Sequence, residues 1–86
     1  MLTQEARQDL ISRLRKIEGQ TQGIQRMLAD ERDCREVLNQ LASVQAATRR
    51  VSVELMRHYV LSRLHEPPTA DPDETVDDVI QFMLRA

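Results

Sequence analysis

One thiol, two imidazoles and eleven arginines hold most of the reactive or charged chemistry in this 86-residue chain. Cys34 is the single cysteine. A thiolate is both a nucleophile and a soft metal ligand, so this residue leads any list of reactive positions. Standing alone, it excludes an internal disulfide framework and a zinc-finger array. His58 and His65 are further metal-ligand candidates, although a histidine at a helix end, as His65 would be, is ordinarily a cap on the dipole. The carboxylates from Asp71 to Asp78 cluster at a polar helix start, where capping and solubility account for them. There is no glycine-rich phosphate loop, no GxSxG, no HExxH and no paired-cysteine metal motif. With aromatic residues at 2%, a large aromatic-lined substrate pocket is not expected, and neither is an enzyme.

The net charge of −2 conceals an uneven distribution. Residues 1–65 carry 11 basic and 8 acidic groups, and residues 66–86 carry 1 basic and 6 acidic. The body is therefore basic and the tail acidic. Only Lys16 among the basic residues is not arginine, and arginine is the side chain suited to bidentate contacts with phosphate or carboxylate. The acidic segment from Asp71 to Asp78 either caps the last helix or competes for the basic face. No run of 18 apolar residues exists, and the opening MLTQEARQDL is polar and charged. Membrane-spanning and signal-peptide readings fail, which makes a cytoplasmic location the expectation.

Three helices must position these groups. The first is expected from about Gln4 to Ala29, with Thr3 as N-cap and Glu5 in the first turn. Leu10, Leu14, Ile17, Ile24 and Leu28 form a heptad-like seam interrupted by Thr21. Gly19 and Gly23 lie within it, at roughly 1 kcal/mol each relative to alanine; close approach of another helix and simple tolerance are both open. After a charged connection, Asp33 is the expected N-cap of a second helix from Cys34 to about Leu64, with Glu36 placed as in a capping box. That helix contains no glycine or proline and would be roughly 45 Å long. Two prolines in residues 65–70 end it, and Asp71-Pro72-Asp73-Glu74 opens a short third helix over about 72–85. Val76, Val79, Ile80 and Met83 share one face of this helix.

The second helix carries two apolar stripes. Val37, Leu41, Val44, Val51, Leu55 and Tyr59 fall on one, and Leu38, Val53, Met56, Val60 and Leu64 on the other. One stripe can pack on the first helix in an αα-hairpin. The other has nothing in the chain large enough to cover it, so a dimer or higher oligomer is expected. A chain this short also has little core of its own.

The stretch Arg13-Leu14-Arg15-Lys16-Ile17-Glu18-Gly19-Gln20, then Gly23-Ile24 and Met27-Leu28, then Cys34-Arg35-Glu36-Val37-Leu38-Asn39-Gln40-Leu41-Ala42-Ser43-Val44-Gln45-Ala46-Ala47, resembles the CsoR/RcnR family of bacterial DNA-binding repressors. The patterns R-L-x-x-I-x-G-Q and C-x-x-x-L-x-Q-[LI]-A-[AS]-V carry the resemblance, which runs from about residue 5 to 84. It implies an all-α fold: a three-helix protomer with a long antiparallel hairpin and a short third helix. It also implies a four-helix-bundle dimer and a dimer-of-dimers tetramer, with 1–86 as a single DNA-binding and sensor domain. Operator DNA would be bound by a basic surface of the first two helices, through the matching positions Arg13 and Arg50 with Arg15, Lys16, Gln20 and Arg49 nearby. Helical spacing agrees in part, since Arg13, Lys16 and Gln20 share a face of the first helix and Arg50 and Arg57 a face of the second.

The resemblance places a sensor site at three positions. Copper-sensing members have a cysteine at the start of the second helix, a histidine 25 residues later and a cysteine four beyond. Here the three are Cys34, Tyr59 and Arg63. A neutral tyrosine is a poor ligand and a charged arginine is none, so the departure from the copper ligand set favours a thiol-reactive effector at Cys34 over Cu(I). Along one helix Cys34 and Tyr59 are roughly 37 Å apart, and they can meet only across an antiparallel dimer. There the partner's Arg63 and the helix N-terminus would both favour a thiolate. Formaldehyde-responsive members add an N-terminal proline amine, but Leu2 follows Met1 here; persulfide-responsive members have a second cysteine where Arg63 stands. A mixed disulfide, a persulfide or an adduct with an external thiol or amine remains. The alternatives are a metal-responsive repressor holding copper or zinc at Cys34, for example with the partner's His58, a helical oligomerisation module that binds no DNA, and a metal chaperone.

Overall fold

The computed structural model describes residues 2–65 and 71–85. They form three helices, α1 (Gln4–Ala29), α2 (Cys34–Leu64) and α3 (Pro72–Arg85), and no strand occurs among them. The all-α expectation and the helix limits agree with this order. Of the connection expected at residues 65–70, only His65 lies within the described residues; its N–H closes α2 on the carbonyls of Leu61 and Ser62, both at 3.2 Å.

Each helix start is set by a side chain. Thr3 accepts a hydrogen bond from the Ala6 N–H at 3.0 Å, satisfying one of the free donors of the first turn. Asp71 accepts from the Asp73 N–H at 3.0 Å at the start of α3. Asp33 accepts from the Arg35 N–H at 3.4 Å, but the reciprocal half of the expected capping box is not made. The Glu36 carboxylate turns instead to Arg32, at 2.9 Å from Nε and 2.5 Å from Nη2. A charged guanidinium one turn away outcompetes a single backbone N–H.

The end of α1 has a feature that its charged sequence conceals. Glu31 sits at φ 56°, in the left-handed region usually left to glycine. Its N–H donates to the Leu28 carbonyl at 3.2 Å, and the Arg32 N–H donates to the Met27 carbonyl at 3.0 Å. These two bonds make a Schellman turn. A four-residue connection can reverse the chain because this turn does so within α1's last carbonyls.

The chain divides into two compact units, Leu2–Val53 and the residues from Glu54 onward. The first holds α1 and most of α2. Its core is Leu10 and Ile24 on α1 with Val37 and Val51 on α2, each 5–6% exposed. Both pairs are spaced by 14 residues, two heptads, as antiparallel helices with matched seams require. Leu14 and Leu28, expected in the same seam, are exposed. Around Gly19 the structure has open space, and a Cβ at Gly23 would meet only the flexible end of Arg26, so neither glycine serves a close approach among the described residues.

The second unit holds the end of α2 and α3. Thr75 is its buried residue, at 8% exposure. Val76, Ile80 and Met83 on the apolar face of α3 are all exposed. On α2 the exposed apolar residues include Leu38, Val53 and Leu64 of the second stripe and also Leu41 and Leu55 of the first, which was expected to pack on α1, while Met56 and Val60 of the second stripe are half-buried. Four buried apolar side chains among the described residues, at roughly 1.5–3 kcal/mol each, are a small core for a chain of this length.

Candidate DNA-binding face and sensor positions

Four of the six residues expected to bind DNA, Arg13, Lys16, Gln20 and Arg50, are brought together within the first unit. A groove of about 510 Å³ between α1 and α2 is lined by Asp9, Ser12, Arg13, Lys16, Ile17, Gln20, Ala46, Ala47 and Arg50. The i, i+3, i+7 spacing of Arg13, Lys16 and Gln20 stacks them along α1. Ala46 and Ala47 keep the facing surface of α2 low, and Arg50 stands one turn beyond. Three cations against one carboxylate leave the groove positive. Arg15 and Arg49 are exposed and outside this lining. Asp9 and Ser12 were not singled out from sequence, and the two alanines were named only within the stretch that carries the resemblance. Asp9 lies four residues before Arg13, a spacing that signals an ion pair.

That pair is formed, with Arg13 Nε donating to Asp9 Oδ2 at 2.9 Å. It fixes the guanidinium at the rim of the groove, and as an exposed helical pair it is worth about 0.3–0.5 kcal/mol. Gln20 Oε1 is buried without a hydrogen-bond partner among the described residues, a state that costs about 1–3 kcal/mol. The groove can take phosphate groups at its charged rim, and one acceptor on its wall is left unmet.

The three positions that the resemblance marks as a sensor fall in different units of the chain. Cys34 is an exposed free thiol at the first turn of α2 in the first unit. Tyr59 and Arg63 lie in the second unit, and both are engaged there with α3. The Tyr59 hydroxyl donates to Asp78 Oδ2. Arg63 Nε donates to Thr75 Oγ1 at 3.1 Å, and Arg63 Nη2 lies 3.4 Å from Glu74 Oε2. Donation to the Asp78 carboxylate holds the Tyr59 phenol above its ordinary pKa; desolvation and the negative charge of Asp78 add to this, and Arg63 opposes it. His58 is half-buried and His65 exposed.

Cu(I) prefers several soft donors, and these three positions supply one per chain. Tyr59 is kept protonated and Arg63 has no lone pair to give. No group of three or more His, Cys, Asp and Glu is arranged to hold a metal among the described residues. The donor set at these positions does not fit Cu(I). No helix among the described residues is long and apolar enough to cross a membrane.

The described residues form three helices and no strand, with a cationic groove on the α1–α2 hairpin and a cysteine opening α2, the form of a small helical protein with one basic face. Residues 6–85 match the sequence model of the metal-sensitive transcriptional repressor family, and the chain belongs to that family. Its members are repressors and not enzymes. The chain is 40% identical over 50 residues to the copper-sensing transcriptional repressor CsoR of Bacillus subtilis, covering 58% of this chain and 50% of that protein. It is 40% identical over 48 residues to the copper-sensing transcriptional repressor RicR of Mycobacterium tuberculosis, 56% of this chain and 50% of that one. The chain thus spans about half the length of the curated relatives it matches. The crystal structure of the copper-sensing repressor CsoR with Cu(I) from Geobacillus thermodenitrificans superposes with a TM-score of 0.78 at 32% identity, covering 96% of this chain and 92% of that one.

Proposed function

We propose that this protein is a transcriptional repressor that binds duplex operator DNA through the groove at Arg13, Lys16, Gln20 and Arg50, flanked by Arg15 and Arg49. It acts as a homodimer that pairs into a tetramer, in the bacterial cytoplasm. The effector acts at Cys34, with Tyr59 and Arg63 at the two later sensor positions, and lowers DNA affinity. A thiol-reactive species is favoured over Cu(I). The observation carrying the reading is the convergence of Arg13 and Lys16 from α1 with Arg50 from α2 on one groove. The exposed Leu38, Val53 and Leu64 of the second stripe of α2 support the oligomer, and the absence of two metal donors supports the thiol.

Fluorescence anisotropy on duplex DNA from upstream of the protein's own reading frame tests this across salt concentrations. It is run with and without Cu(I), Zn(II), formaldehyde and a persulfide donor, on wild type and Cys34→Ala. Salt-sensitive binding relieved by a thiol-directed effector in wild type alone is the expected result. Relief by Cu(I) or Zn(II) alone would favour a metal-responsive repressor with an atypical site at Cys34, the reading that the copper-sensing relatives support. Binding no tighter than to random DNA under every condition would leave a helical oligomerisation module.

A further inference from the structure

The two later sensor positions both make contacts within their own chain. Tyr59 and Arg63 are one turn apart on α2, and Glu74 and Asp78 are one turn apart on α3. The earlier residue on α2 meets the later one on α3, Tyr59 with Asp78, and the later meets the earlier, Arg63 with Glu74 and Thr75. Two donors thus face acceptors at matched four-residue steps along antiparallel helices. We propose that Tyr59 and Arg63 form a polar clamp that fixes α3 on the end of α2, and that this clamp stands in place of metal ligation at two of the three sensor positions.

Packing alone gives α3 little hold. The apolar residues Val76 and Met83 are 54% and 70% exposed, and the buried residue of this unit is Thr75. The Thr75 hydroxyl accepts from Arg63 Nε and lies 3.5 Å from the Asp71 carbonyl, to which it donates. Arg63 therefore reaches the same turn that the Asp71 side chain caps. The clamp and the start of α3 are one hydrogen-bonded unit. For an ion at these positions the phenol would have to leave Asp78 and lose its proton, and the guanidinium would still offer no lone pair.

The clamp stands on the geometry of one unit; only the naming of Tyr59 and Arg63 as sensor positions rests on the repressor reading. Two measurements on the full chain test it. Hydrogen exchange followed by mass spectrometry on wild type, Tyr59→Phe, Arg63→Ala and Asp78→Asn reads the hold on α3. Exchange across residues 72–85 should rise about 2- to 10-fold in each variant, the factor one net hydrogen bond is worth, while α1 is unchanged. Arg63→Lys, which keeps the charge, should recover part of the protection. Competition for Cu(I) against a chelator reads the ligation. Tyr59→Phe and Arg63→Ala should leave Cu(I) affinity within a factor of two of wild type. Unchanged exchange in α3 overturns the clamp, and a tenfold loss of Cu(I) affinity in either variant overturns the replacement of ligation. Neither outcome depends on whether the protein binds DNA, so a failed anisotropy experiment would leave this inference separately decided.

Discussion

Tyr59 donates its phenolic hydrogen to Asp78, 19 residues further along the chain, and this bond ties the end of α2 to the middle of α3. The acceptor is a carboxylate, so the bond is charge-assisted and resists loss of the phenolic proton. Ionising Tyr59 would place two negative oxygens against each other.

The pKa of Tyr59 is raised above 10.0, first by its hydrogen bond to Asp78. The folded chain therefore keeps a proton that the unfolded chain gives up. The stability from this bond is complete below pH 10 and is lost as the pH rises through the higher folded value. Tyrosinate absorbance should appear later in wild type than in the denatured chain, and Asp78→Asn should bring its appearance back toward that of the denatured chain. Coincident titration curves for wild type and variant would show that the bond is not populated in solution.

Glu31 should be replaceable by glycine with a gain in stability. A side chain in the left-handed region costs about 1–2 kcal/mol, and the glycine's extra freedom when unfolded returns part of that. Glu31→Gly should raise stability by about 0.5–1 kcal/mol in urea denaturation at fixed protein concentration. Its backbone bonds at Leu28 and Met27 do not involve the side chain, so the turn persists.

The three helices were legible because their signals are local. Thr3, Asp33 and Asp71 each precede a periodic run, and the helix starts follow them. The basic face was legible in part, because Arg13, Lys16 and Gln20 repeat on one side of α1 and needed no partner to be placed together. Ala46 and Ala47 stand in the stretch that carries the resemblance, but their place in the groove was not legible, since small residues carry no chemistry and matter only once α1 lies opposite them. The turn at Glu31 was hidden by its residue type; the glycine that marks such a turn is absent. The engagement of Tyr59 and Arg63 with α3 was also out of reach, because it depends on which turn of α3 meets which turn of α2. As sequence these two residues read as failed ligands; in the structure they are donors with acceptors on α3.

The second stripe of α2 should govern assembly. Leu38 and Val53 are 62% and 57% exposed, so a charge at either position leaves the chain's own core intact. Val53→Glu should shift sedimentation toward smaller species at micromolar protein, with α-helical circular dichroism falling only as far as dissociation lowers stability. An unchanged oligomer would move the interface to another face of the chain.

The groove makes a prediction in two directions. Lys16→Ala removes one cation from the lining at Lys16, and Asp9→Asn removes the carboxylate that holds Arg13 at 2.9 Å. If DNA phosphates meet this groove, each lost phosphate contact lowers the slope of log affinity against log salt by about one. Lys16→Ala should therefore bind more weakly at low salt with a slope smaller by about that amount. Asp9→Asn should bind more tightly, because Arg13 then meets phosphate without first leaving a carboxylate and the groove repels the backbone less. The gain is expected to be about twofold, the size of an exposed helical ion pair, and to shrink as salt is raised. Anisotropy titrations of both variants against one duplex at several salt concentrations would show these opposite shifts; variants that move affinity in the same direction would point to a change in folding or assembly rather than to contact with DNA.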